Sequence, residues 1–207
     1  MQVTRIEPLD SVRNKIYLDG ELAFALYKGE LRKYHIRENE EMPQETYNVI
    51  LKEVLLKRAR LRAMNLLQKR EYTVSQLRAK LEQGLYPEPV IEEALEYVAS
   101  FHYTDDLRYA VQYMTLHEDS RSRRRIEQDL LGKGIPEDII QLAWQEWEEQ
   151  GGEQDEEQMI RKLLEKRKFD PETADYKEYG KQAAFLARKG FSSEKIHKVL
   201  RILTSTT

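Results

Sequence analysis

The chain contains no cysteine. Disulfide scaffolds, thiolate metal ligands and cysteine nucleophiles are therefore excluded, and a reducing compartment, the cytoplasm, is the expected home. No apolar run approaches the roughly 18 residues a membrane helix needs, and the N-terminus lacks a charged-then-apolar leader, so a soluble protein is expected. Histidine is scarce. His35, His102, His117 and His197 are scattered, no two at i, i+4, which argues against a helical metal site. His117-Glu118-Asp119 reads as a polar turn rather than a ligand set. Gly132-Lys133-Gly134 lacks the spacing of a phosphate loop. The acids from Glu153 to Glu157 lack the spaced Asp/Asn–Gly pattern of a calcium loop and read as a solvated helix start. No catalytic motif emerges, so the chain is not expected to be an enzyme, and neither metal nor cofactor is called for.

Charge is present in quantity instead. Asp, Glu, Lys and Arg make up 34% of the 207 residues, against about 25% in an average soluble domain. Apolar residues, at 40%, suffice for a thin core. That mix suits an elongated helical protein with much solvated surface. The net charge of −3 does not announce a nucleic-acid binder. It is unevenly spread: residues 101–150 hold 6 Lys/Arg against 11 Asp/Glu, residues 51–100 hold 9 against 7, and residues 151–207 hold 12 against 10.

Along the chain the period of the apolar residues changes. Up to about residue 42 they sit mostly at even spacings, and Asn14 to Leu18, Asp19-Gly20, then Glu21 to Leu26 is a two-residue hairpin signal. A lone hairpin is marginal in water, so this piece must pack on helices. Gly29 to Ile36 reads as a turn or two of helix. From Gln44 the period is helical. Tyr47, Ile50, Leu51, Val54, Leu55, Leu61, Leu66 and Leu67 mark one long helix, or two abutting ones, ending near Arg70.

A phrase then recurs. In its middle copy, Arg121 to Trp144, Ile126 and Leu130 share a helical face, Gly132 and Gly134 stop the helix, and Pro136 opens the next at its first position. Leu77, Leu81, Ile91 and Leu95 fall 49 residues before Ile126, Leu130, Ile140 and Trp144. Leu186, Gly190, Ile196 and Leu200 fall 56 residues after Leu130, Gly134, Ile140 and Trp144, with Gln182 standing where Ile126 would be. In the first copy the glycine slips to Gly84. Each copy is preceded by a helix, over 59–69, 105–116 and 154–168. A period near 50 residues with three helices per unit predicts a mainly α, elongated array of three three-helix repeats behind a small β-hairpin segment. The expected segments are 1–45 (strands), 46–101 (repeat one with its leading helix), 102–150 (repeat two) and 151–207 (repeat three). Thr73 with Gln76 forms a capping box, Thr104 precedes the helix-starting Asp105-Asp106, and Ser192 caps the last helix. An inter-repeat joint is placed at Gly151-Gly152.

These residues bear a resemblance. Tyr103-Thr-Asp-Asp-Leu-Arg-Tyr-Ala110, Arg123-Arg-Arg-Ile-Glu-Gln-Asp-Leu130 and Lys133-Gly-Ile-Pro-Glu-Asp-Ile-Ile140 resemble the central repeat of the RecX family of regulatory proteins. Ser75 to Leu81 is similar to the family's first-repeat phrase "S-x-x-E-L-R-x-K-L", with Gln76 in place of the acid. Lys189-Gly-Phe is the best match in the third repeat, and Tyr17-Leu-Asp-Gly20 resembles the turn of longer members. The resemblance covers about 59–200 well and 1–58 more weakly. It implies a modulator, usually an inhibitor, of the RecA recombinase filament in DNA repair, recombination and the SOS response; a monomer is expected. Such a protein lies in the filament's groove with no catalytic site and no cofactor of its own.

The candidate site residues are the basic clusters. Arg121, Arg123, Arg124 and Arg125 open a helix, where positive charge opposes the helix dipole at about 0.3–1 kcal/mol each when exposed. That placement invites a clamp on a partner's carboxylates or on DNA phosphates. The bland reading is pairing with Glu118, Asp119, Glu127 and Asp129. Lys166, Arg167 and Lys168 stand at a helix C-terminus, where cations are favoured. Arg78 and Lys80, with Lys69 and Arg70, extend a basic strip along repeat one that suits phosphate contacts to single- or double-stranded DNA. Lys57, Arg58, Arg60 and Arg62 surround a helix, so no more than two share a face. Tyr97, Phe101, Tyr103, Tyr109 and Tyr113 are expected to pack between helices, Trp144 to be core, and Trp147 to bridge repeats two and three. Exchanging Arg123, Arg124 and Arg125 together for alanine is expected to weaken partner binding and spare the fold. The alternative function is a stand-alone DNA binder using helix-turn-helix-like units; strong DNA affinity without recombinase discriminates it.

Overall fold

The computed structural model describes the backbone of residues 1–205 and side chains through residue 201. The chain forms two compact units, Met1–Asp105 and Asp106–Thr207. It is mainly helical, with one small antiparallel sheet.

Unit one opens with β1 (Val3–Pro8), β2 (Arg13–Leu18) and β3 (Glu21–Tyr27), paired in that order. In β2 alternate residues Asn14, Ile16 and Leu18 are buried, the period-two pattern of a half-covered strand. Asp19 and Gly20 both have positive φ, +51° and +93°, as the tight hairpin between β2 and β3 requires. The pairing slips between Ile16 and Tyr17, and beyond it Phe24, Ala25 and Leu26 are buried in succession. Helix α1 (Lys28–Lys33) follows. A continuous helical rod then runs as α2 (Gln44–Val49), a π-helical segment (Ile50–Leu55) and α3 (Leu56–Leu67). The two abutting helices weighed from sequence are therefore one rod with a widened turn, and Leu61 is exposed on it rather than core. With α4 (Val74–Glu82) and α5 (Glu88–Ser100), the rod and the sheet share one core: Ile16, Phe24 and Leu26 pack in the same cluster as Leu55, Leu77, Leu81 and Ile91. The hairpin is thus covered by helices, as its marginal stability demands.

Unit two consists of α6 (Asp106–His117), α7 (Arg123–Gly132), α8 (Glu137–Glu149), α9 (Glu156–Lys166), α10 (Tyr176–Arg188) and α11 (Ser193–Ser205). Two cores form. Ala110, Met114, Ile126, Leu130, Ile140, Trp144 and Trp147 make one, and Ile160, Leu164, Leu186, Phe191, Ile196 and Leu200 the other. The recurring apolar positions all lie in these cores, with Leu77, Leu81, Ile91 and Leu95 as their counterparts in unit one.

The helix ends repeat too. After α7 the Gly134 N–H reaches the Leu131 carbonyl and the Ile135 N–H reaches that of Leu130, with Gly134 left-handed at φ +79°. This satisfies carbonyls that a helix end otherwise leaves open. Gly190 ends α10 in the same way. In repeat one the left-handed position falls on Leu85, not on the slipped Gly84, whose added Cβ would meet the Tyr86 ring. Pro136 occupies the cap position of α8 (ψ 151°), one residue earlier than its fixed φ suggested. Thr73, Ser122 and Ser192 each accept from the backbone N–H three residues on. Thr104 does not take this role. Helix α6 begins at Asp106, and the Thr104 hydroxyl is buried with no partner among the described residues.

Candidate binding cleft

The arginine cluster at the start of α7 does not act as one patch; the local geometry divides it. Ser122 is the N-cap, so successive residues point about 100° apart around the first helical turn. Arg121 bonds the Tyr113 hydroxyl and pairs with Asp129 Oδ2 at 2.5 Å, and Arg125 reaches Asp129 Oδ1 at 3.1 Å. One mostly buried carboxylate thus serves two guanidinium groups. Burial, followed by the nearby Asp129 charge, raises the Tyr113 phenol above its ordinary range. Arg123 turns the other way. It pairs with Glu127 at 3.4 Å and Glu148 at 3.1 Å, and its guanidinium lies 4.4 Å from the centre of the Trp144 ring. Arg124 is exposed, with no hydrogen bond or ion pair among the described residues. Of the pairing partners expected from sequence, Glu127 and Asp129 are used, whereas Glu118 and Asp119 are displaced by Glu148, which the packing of α8 beside α7 supplies.

Repeats two and three meet at this same helix start. The Ser122 hydroxyl accepts from the Arg125 N–H and donates to the Lys189 carbonyl at 2.9 Å. The C-terminal end of α10 therefore abuts the N-terminal end of α7, placing opposite helix-dipole ends together. Gly190 makes the approach feasible: a Cβ there would lie 2.5 Å from the Ser122 hydroxyl oxygen. Gln154 donates to the carbonyls of Glu118 and Arg121, at 2.8 and 2.6 Å. Glu156, only 6% exposed, accepts from the Arg123 N–H at 2.7 Å and pairs with Lys195 at 2.9 Å. The acidic run read as a solvated helix start is thus, at Glu156, a buried brace between repeats. Trp147 belongs to the repeat-two core and its ring packs against Gly152 at the joint, alongside the polar groups that bridge it. Glu156→Ala is expected to lower stability by about 2–3 kcal/mol, below the usual cost of breaking a buried pair because Lys195 is half exposed. Glu156→Gln, which keeps an acceptor for the N–H, should lose about half as much. Urea-unfolding midpoints measure both, and an unchanged midpoint for alanine rules the brace out.

Between the two helix ends lies a cleft of about 480 Å³. Arg121 and Arg125 line one side, Arg188 and Lys189 the other, over Leu163, Phe185 and Phe191, and among the described residues no acidic side chain lines it. Arg188 is exposed and unpaired among the described residues. Lys189 sits 5.8 Å from the Phe185 ring centre. Sequence reading passed over Arg188 and Lys189. The available signal was Lys189 falling, by the repeat offset, on Lys133.

The remaining basic candidates sit elsewhere. Arg78 is clamped by Glu88 and Glu92, and its guanidinium holds the Glu92 carboxyl below its usual range. Lys80 donates to Gln83 at 3.3 Å, Arg70 lies over the Tyr72 ring, and Lys69 is exposed. Lys166 is exposed, Arg167 donates to the buried Gln182 at 2.7 Å and covers Phe185, and Lys168 takes the left-handed position after α9. Gln182, in the place of Ile126, is thus a buried polar anchor for Arg167. Arg60 lies over Tyr97, while Phe101 (53% exposed) and Tyr103 stack at the surface instead of packing between helices.

His117 packs edge-on against Tyr113, and its pKa is lowered first by burial and then by Arg121. A histidine depressed in the folded state contributes stability above its unfolded value near 6.5, and that contribution disappears as pH falls. Melting temperature should therefore drop between pH 7 and 5, through a component absent from His117→Gln. Identical pH profiles would overturn this assignment.

Among the described residues no cluster of His, Asp and Glu could hold a metal, and no helix is long and apolar enough to cross a membrane. Fold and cleft together define a tandem three-helix repeat protein whose distinctive surface chemistry is a cationic cleft. Comparisons with known proteins make the class specific. Models of the first and third three-helix domains of RecX match residues 59–97 and 154–200. Regulatory protein RecX of Trichlorobacter lovleyi is 32% identical over 143 residues, spanning 67% of this chain and 91% of that protein. That of Caldanaerobacter subterraneus subsp. tengcongensis is 29% identical across 98% of this chain and all of its own length. A crystal structure of a regulatory protein RecX covers 96% of this chain and 98% of its own, with TM-score 0.61 and 25% identity. RecX from Lactobacillus salivarius shares the fold, with TM-score 0.56 over 72% of this chain and 96% of its own. The chain belongs to the RecX family of regulatory proteins.

Proposed function

We propose that the protein binds a RecA-type recombinase filament and restrains its ATP hydrolysis and strand exchange, as a cytoplasmic monomer without catalysis or cofactor of its own. Family membership carries this reading, above all the likeness to a RecX protein over nearly the full length of both chains. The functional modules are the strand segment 1–45 and the repeats 46–101, 102–150 and 151–207. Of the basic residues, Arg121, Arg124 and Arg125 remain the best placed to meet a partner or DNA phosphates. Arg78 and Arg123 are the least free, because two intramolecular carboxylates hold each of them, whereas Arg121 and Arg125 share the single carboxylate of Asp129 and Arg124 pairs with none among the described residues. That capture also weighs against a stand-alone helix-turn-helix reader, which needs its helix-borne arginines free for base edges. Recombinase ATPase and strand-exchange assays with added protein test the proposal. Progressive loss of both activities is expected, and unchanged rates at saturating protein would reject it.

A further inference from the structure

We infer that the cleft between α7 and α10 is a binding site for consecutive phosphate groups, carried either by a nucleic-acid strand or by a free polyphosphate such as a nucleoside triphosphate. The inference rests on the reading of Arg121 and Arg125 as binding residues, but not on the identity of any protein partner.

Helix-end electrostatics accounts for only half of this charge. Arg188 and Lys189 close α10, where cations are favoured. Arg121 and Arg125 flank the start of α7, where cations are disfavoured, and they face the other pair across one cleft. The elements come close: a Cβ on Gly190 would lie 3.3 Å from the Arg125 Cβ. Four cations thus surround one volume. The carboxylate behind them, Asp129, has both oxygens already engaged, Oδ2 by Arg121 and Oδ1 by Arg125. Its single charge leaves an excess of about three. One partner carboxylate would still leave about two, whereas two or three phosphates match the charge, and arginine forks suit their oxygens. A volume of about 480 Å³ lies within the ordinary range for small-ligand sites and admits such a group. An occupant would contact both repeats, bracing the joint formed by Ser122 and Lys189.

The test uses the full chain and fluorescence anisotropy with a labelled oligothymidylate, then competition by inorganic tripolyphosphate, ATP and a heptaglutamate peptide. Phosphate binding should weaken with salt at a log–log slope of about −2 to −3, since each neutralised cation contributes ~0.7. Arg188→Gln should weaken binding about tenfold and reduce the slope by ~0.7. Lys177→Gln removes the same charge from the same helix outside the cleft and should change affinity less than about twofold, on the premise that screening confines the effect to near neighbours. An oligonucleotide favoured over tripolyphosphate identifies the strand as source, and the reverse order identifies a free polyphosphate; either supports the site. The inference fails if no probe binds, if Lys177→Gln loses as much as Arg188→Gln, or if heptaglutamate competes as well as tripolyphosphate. A protein that slows the recombinase yet binds none of these probes would sink the phosphate site alone. Phosphate binding without any effect on the recombinase would sink only the regulatory reading.

Discussion

Gly190→Ala is expected to destabilise unit two by about 2–4 kcal/mol. Two costs combine. The residue sits at φ +91°, where an L side chain meets the neighbouring carbonyl at about 1–2 kcal/mol. The new methyl would also lie 2.5 Å from the Ser122 hydroxyl oxygen, a contact that forces the α10 end away from the α7 start. The hydroxyl belongs to the N-cap, so the strain spreads to the Arg125 N–H and Lys189 carbonyl bonds it makes. A double-mutant cycle separates the costs. Ser122→Ala alone should cost about 1–2 kcal/mol through the lost cap and cross-repeat bond. Combined with Gly190→Ala it should cost less than the sum, because the clashing atom is gone. Additive losses in urea unfolding would refute the steric part and leave only the backbone term.

Trp144→Ala carries the largest expected loss, about 3–5 kcal/mol, set by the cavity left when an indole is removed from a core with Ile126, Leu130 and Ile140. In a protein whose whole stability is of order 5–15 kcal/mol, that approaches unfolding of the repeat. Trp144→Phe should behave very differently. The indole N–H is buried without a partner among the described residues, so phenylalanine fills most of the volume and removes an unsatisfied donor. Its cost should stay within about 1.5 kcal/mol. Melting curves of the two variants decide it; equal losses would mean that the ring is held by its edge rather than its bulk.

The arginines at the start of α7 show how far a linear reading reaches. Their departure from helix-dipole preference is visible in the sequence and singles them out. Their division is not: Arg123 bonds Glu148, 25 positions on, and its N–H bonds Glu156, 33 positions on. Exchanging Arg123, Arg124 and Arg125 together would therefore disturb the ion pairs to Glu127, Glu148 and Asp129 and the ring contact to Trp144 as well as any binding surface. Arg124→Ala is the cleaner probe.

What the sequence determined by itself is everything governed by local period. Even spacing and Asp19-Gly20 specify the hairpin, and the spacing of Ile126, Leu130, Ile140 and Trp144 with their counterparts specifies the repeated helices and the residues they bury. The caps at Thr73 and Ser192 and the glycines at Gly134 and Gly190 also belong here, because each rests on bonds within a few residues. Tertiary structure decided which charges meet beyond the i, i+4 pairs Arg123–Glu127 and Arg125–Asp129, which the sequence already offered. It buried Glu156, turned Arg78 onto Glu88 and Glu92, and set Arg188 and Lys189 opposite Arg121 and Arg125. The physical reason is range. Helix and turn signals act over three or four residues, whereas an ion pair or a cleft is made by whichever side chains packing brings within a few ångströms, at any distance along the chain.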